Sequence, residues 1–81
     1  MTVVYVLRSL TEGKFYTGIT RDLQARLDRH NAGCNASTRS GRPWEIVFTE
    51  ECVTRAAAMA KEKLIKARGA GRYLHDRSLM E

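Results

Sequence analysis

The sequence predicts an α+β fold: a small three-stranded antiparallel sheet flanked by helices, in the order β-β-α-β-α with a short helical C-terminal end. Three observations carry this reading. Two β-branched and aromatic runs before Arg21 are separated by a turn containing glycine. Beyond Asp22 the apolar residues change to a spacing of four, the period of a helix face. A third β-prone run, from Trp44, precedes an alanine- and lysine-rich segment with no breaker. Helices laid on an antiparallel sheet are the ordinary way for such elements to bury their apolar faces.

Taken in order, Thr2 to Leu10 reads T-V-V-Y-V-L-R-S-L and predicts a strand. Thr11-Glu12-Gly13-Lys14 supplies a turn in which Gly13 suits a positive φ, and Phe15 to Thr20 forms the hairpin partner. Leu23 and Leu27, extended by Ala32, make the apolar stripe of a helix whose wet side carries Arg21, Asp28 and Arg29. Thr20 or Asp22 can cap its start, and Asn31 with Gly33 can close it. Cys34 to Pro43, C-N-A-S-T-R-S-G-R-P, has no periodicity and reads as a long, basic, candidate functional loop. Trp44 to Glu51 is the third strand. Thr54 caps a helix over Arg55 to Arg68 that Gly69 stops, and the tail from Ala70 adds one or two helical turns before fraying.

With 81 residues, one domain over positions 1–81 is expected. A fold of this size buries only about 60–65% of its unfolded surface, so its core must be compact. Lys and Arg number 14 against 9 Asp and Glu, a net charge of +5, which favours a polyanionic partner, nucleic acid first. Cys34 and Cys52 are too few for a disulfide framework and lack paired zinc spacing; they read as reduced thiols. No apolar run approaches the roughly 20 residues of a membrane span, and no cleavable leader pattern opens the chain. A cytoplasmic protein without a membrane partner is the expectation.

Four residue types stand out for chemistry. Tyr5 and Tyr16, eleven apart around the hairpin, can lie roughly opposite each other. Arg26 and His30 share a helical face at i and i+4. Glu62 sits among Lys61, Lys63 and Lys66. Each has an ordinary explanation when taken singly. Strand tyrosines pack with a wet hydroxyl, an arginine on an amphipathic helix is solvated, His30 complements the helix dipole, and Glu62 belongs to a solvent-facing charge pattern.

The order and spacing together carry more. Val3-Val4-Tyr5 and Tyr16-Thr17-Gly18 are followed by Y-T-G-I-T-R-D-L-x-x-R-L-x-x-H-N-x-G from Tyr16 to Gly33. Thr38-Arg39, Arg42-Pro43 and E-K-x-I-K from Glu62 to Lys66 come after it. These segments resemble the GIY-YIG nuclease superfamily, in particular its short stand-alone bacterial branch, over about Thr2 to Lys66. The sequence departs from the motif at Val3, Val4 and Thr17, none a reactive group, and from Gly69 onward the likeness is lost.

The resemblance implies a metal-dependent endonuclease acting on DNA, in repair or recombination. It assigns Glu62 to a divalent ion, Mg²⁺ or Mn²⁺, and Arg26 to clamping a phosphate. Tyr16 would line the attacking water, Tyr5 would share the hydrogen bond that positions it, and His30 would relay a proton or bind a phosphate. A phenol with a free pKa near 10 is a poor base at neutral pH, so metal and Arg26 would have to depress that of Tyr16. Arg8, Lys14, Thr38, Arg39 and Arg42 would contact the nucleic-acid backbone. A monomer or weak homodimer is expected. The competing reading is a nucleic-acid-binding module that keeps the pocket but turns over poorly. Substrate structure stays open, because the related enzymes draw specificity from additional domains.

Overall fold

The computed structural model describes residues 1–77. Its order is β1 (Thr2–Ser9), β2 (Phe15–Thr20), α1 (Leu23–Ala32), a 3₁₀ turn (Arg39–Gly41), β3 (Trp44–Cys52), α2 (Arg55–Arg68) and α3 (Ala70–Asp76). The sheet order is β2-β1-β3, antiparallel throughout, as the sequence predicts.

Central β1 explains why its sequence reads as an unbroken apolar run rather than an alternation. Both faces are covered. Val4 and Val6 point into a cluster with Ala58, Ile65, Tyr73 and Leu74 from α2 and α3. Tyr5 and Leu7 point the other way, into a cluster with Trp44 against which Leu23 and Leu27 of α1 pack. A β-bulge opposite Val6 and Leu7 lets two consecutive β3 residues, Val47 and Phe48, pack on the α2 side, while Ile46 and Trp44 serve the α1 side.

The caps follow the sequence with two changes. Asp22 accepts a hydrogen bond from the Ala25 N–H, Gly33 ends α1 at φ 82°, and Thr54 caps α2. Thr20 instead bonds the backbone of Asp22. Asn31 does not close the helix: its side chain accepts from the Trp44 N–H at 2.6 Å and donates to the Trp44 carbonyl at 3.2 Å. It imitates a neighbouring strand and ties the end of α1 to the start of β3. Ala32, expected to extend the apolar stripe, is exposed, and His30 takes that place as the buried residue of α1.

The tail is helical, and more than a fringe. Tyr73 and Leu74 of α3 are 5% and 0% exposed and complete the α2-side cluster. The expected fraying end, residues 78–81, lies outside the described residues.

Candidate active site

At the edge of β2, where α1 reaches from one face of the sheet and α2 from the other, lies a cavity of about 600 Å³. Tyr5, Tyr16, Arg26 and Glu62 all line it, one each from β1, β2, α1 and α2. Gly18, Arg21, Arg55 and Met59 line it as well.

The two tyrosines share a face but are not opposite each other. Tyr5 pairs with Gly18, and Tyr16 pairs with Leu7, so the rings lie diagonally with centroids 6.3 Å apart. This register gives Gly18 its purpose. A Cβ there would come within 2.5 Å of the Tyr5 Oη, so only glycine leaves room for that hydroxyl.

Tyr5 Oη lies 3.1 Å from His30 Nε2, and His30 Nδ1 lies 2.8 Å from Thr38 Oγ1. With Thr38 donating to the Asn35 carbonyl at 3.3 Å, the Nδ1–H donates to Thr38 and Nε2 accepts the Tyr5 proton-bearing bond. Burial lowers the His30 pKa below the ordinary imidazole value, and the Arg26 and Arg29 guanidinium groups lower it further. Burial and the neighbouring Tyr16 push the Tyr5 hydroxyl up to about 12; Arg26 opposes the rise and Glu62 adds to it. At neutral pH this pair is therefore an uncharged imidazole holding a protonated phenol. The Tyr16 ring stacks obliquely on the same imidazole, 4.7 Å between centroids at 59°.

His30 is thus not at the surface. It is 1% exposed with both nitrogens engaged, which excludes direct phosphate binding and makes it a support for Tyr5. Thr38 is corrected in the same way: at 1% exposure it cannot touch a nucleic-acid backbone, and it orients His30 instead. Its carbonyl also accepts from the Trp44 indole at 2.7 Å, so the long loop is anchored to the core.

Arg8 and Lys14 stand apart from the cavity. Arg8 is paired with Glu45, and Lys14 with Glu12 at 2.9 Å, so their charges are answered within the chain. Arg39 and Arg42 are exposed, each with its Nε on a loop carbonyl, Gly33 and Arg39 respectively.

Two carboxylates line the cavity. Asp22 spends one oxygen capping α1, and Glu62 is half-buried with one oxygen 3.3 Å from Lys66 Nζ, one helical turn on. No group of three or more His, Cys, Asp or Glu converges among the described residues. Arg55 and Met59 were not singled out from the sequence, although 55 and 59 fall on the same helix face as Glu62, which was. Gly18 needed the strand register.

The GIY-YIG catalytic domain family matches residues 1–73. The chain belongs to that family. The match runs past Lys66 into α3, correcting the expectation that the likeness ends at Gly69. The chain is also similar to a UPF0213 protein of Streptococcus sanguinis, 44% identical over 64 residues that cover 78% of this chain and 72% of the relative. Similar too are the UPF0213 proteins SERP0126 of Staphylococcus epidermidis and SA0446 of Staphylococcus aureus, 38% and 36% identical over 78% of this chain and 77% of each relative. No solved structure matches significantly. A GIY-YIG domain places the chain in a nuclease-type superfamily whose members bind nucleic acid. Among the described residues, no helix is long and apolar enough to cross a membrane.

Proposed function

We propose that this GIY-YIG protein is a divalent-metal-dependent endonuclease that hydrolyses phosphodiester bonds in DNA. The observation that supports it is the single cavity lined by Tyr5, Tyr16, Arg26 and Glu62 from four different elements. Packing alone does not require two phenols, a guanidinium without a carboxylate partner among the described residues and a carboxylate to face one another.

The donor set fits a hard cation. Glu62 offers a carboxylate and the tyrosines offer phenol oxygens, so a magnesium or manganese ion held by Glu62 would keep most of its water shell. When bound, the ion supplies charge neutralisation at the leaving oxygen. The chain's own residues do the rest. Arg26 binds the non-bridging oxygens with its planar fork, which stays charged at working pH. Tyr5 keeps its proton, because burial raises its pKa and His30 holds its hydroxyl. Tyr16 is then the phenol left to orient the attacking water and to relay its proton to solvent. The water oxygen bonds to phosphorus, the bond to the leaving oxygen breaks, and that oxygen is protonated from solvent.

The Glu62–Lys66 pair favours a second reading, a binding module whose carboxylate serves only the helix. One comparison decides between them. Cleavage of duplex, branched and single-stranded DNA is measured with Mg²⁺ and with chelator, beside affinity, for wild type and Glu62→Gln. Metal-dependent cleavage lost in the variant, with affinity equal or slightly higher, is the expected result. A wild type that binds without cleaving under any metal overturns the enzyme reading.

A further inference from the structure

The cations of this protein divide into two groups. Among the described residues, Arg8, Lys14, Lys61, Lys66 and Arg68 each have a carboxylate within ion-pair distance, and the other nine of the fourteen, Arg21, Arg26, Arg29 and Arg55 among them, have none. An unanswered guanidinium on a surface is unremarkable, but four of these line two adjoining cavities. Arg21, Arg26 and Arg55 line the candidate active cavity. Arg26 is also in the wall of a second cavity, of about 120 Å³, with Arg29, His30, Cys34 and Asn35.

That second cavity differs chemically from the first. No carboxylate lines it, so it has no ligand for a hard cation and nothing to repel an anion. Arg26 and Arg29 lie three apart on α1, where side chains are neighbours about 5–6 Å apart at Cβ. Asn35 Oδ1 accepts from the Ser37 N–H at 2.9 Å and the Ser37 hydroxyl at 2.7 Å, which fixes the amide and leaves its NH₂ without a partner among the described residues. His30 forms the back wall, and its two ring nitrogens are already taken. The site therefore offers two guanidinium forks and an amide donor, in a space of roughly four waters. This is the chemistry of a phosphate group.

We propose that this second cavity is a phosphate subsite, in which Arg29 and Asn35 hold the phosphate of a nucleic-acid strand that neighbours the scissile one. The shared wall, Arg26, joins the two positions, so the strand runs along α1 from the active cavity toward the loop at Asn35. Arg8 and Lys14 lie off this path. The inference rests on the nuclease reading, because it takes the first cavity as the place of the scissile phosphate.

The test uses a fluorescently labelled DNA oligonucleotide in chelator, with affinity read by anisotropy across a range of salt. Arg29→Gln is compared with Arg68→Gln, which removes the same charge from an exposed pair with Asp76. Arg29→Gln should weaken binding roughly tenfold, the worth of one charge-assisted contact, and flatten the log–log salt slope by about one. Arg68→Gln should stay within about twofold of wild type, and both variants should unfold at the wild-type denaturant midpoint, since both arginines are exposed. Cys34 supplies an independent reading: it is an exposed thiol in the wall of this cavity, and Cys52 is buried. Bound oligonucleotide should slow its alkylation. Equal affinities and slopes for the two variants, or an alkylation rate indifferent to DNA, overturn the subsite while leaving the nuclease reading intact. A wild type that neither binds nor cleaves DNA overturns both.

Discussion

Tyr5 and Tyr16 are the same residue type in the same cavity, and their surroundings give them different tasks. Tyr5 is buried, hydrogen-bonded to His30 and pushed up to about 12, whereas Tyr16 is half-buried on the edge strand. Tyr16→Phe keeps the packing volume, so unfolding free energy should change by under about 1.5 kcal/mol. Cleavage should nevertheless fall by about 10²–10⁴, the usual worth of a positioned acid–base group. Full activity in the folded variant would remove Tyr16 from the mechanism. Gly18 makes the complementary prediction. Gly18→Ala places a methyl 2.5 Å from the Tyr5 hydroxyl, and relieving that overlap should cost about 1–3 kcal/mol in a denaturant titration. Cleavage should drop as well, because Tyr5 must move off His30. An alanine variant with wild-type stability and rate would show that the Tyr5 position is not constrained there.

At the scale of elements, the basic loop is tied to α1 and β3 by His30, Thr38, Asn31 and Trp44. The tie includes an imidazole whose folded pKa lies below its unfolded value near 6.5. Protonation therefore favours the unfolded chain. The stabilisation is complete above about pH 6.5 and is eroded as pH falls below it toward the lowered folded pKa, at a slope of up to about 1.4 kcal/mol per pH unit. Urea titrations at pH 7.5, 6.5 and 5.5 should show stability unchanged over the first step and falling over the second. His30→Gln should lower stability at all three and flatten the fall; an identical pH profile in that variant would place the titration elsewhere.

For the whole molecule, a net charge of +5 is less informative than where that charge is left unanswered. The ion-paired cations contribute little to a field at the surface, while Arg21, Arg26 and Arg55 line the cavity. Contacts of this kind hold phosphates and read no bases. Binding should be nearly sequence-blind, with a salt dependence corresponding to about 3–6 released counterions. Anisotropy on unrelated oligonucleotides at several salt concentrations measures both features. An affinity that is unchanged from low to high salt, or that strongly prefers one sequence, would contradict it.

Element order, caps and the candidate residues were legible in the sequence because they depend on local chemistry. Glycine turns, an Asp22 or Thr54 cap and the change of hydrophobic period act within a few residues. The motif from Tyr16 to Gly33 marks Tyr16, Arg26 and His30 through its resemblance to the family. What only the tertiary structure decided depends on long-range contacts that no local signal encodes. The hairpin register set Tyr5 against Gly18 rather than Tyr16, and a bulge set the phase of β3. Burial turned His30 and Thr38 from surface contacts into supports, and made α3 part of the core. Carboxylates distant or turn-adjacent in the chain, Glu45 and Glu12, neutralised Arg8 and Lys14. A sequence lists charges, but a charge becomes a binding site only where folding leaves it without a partner.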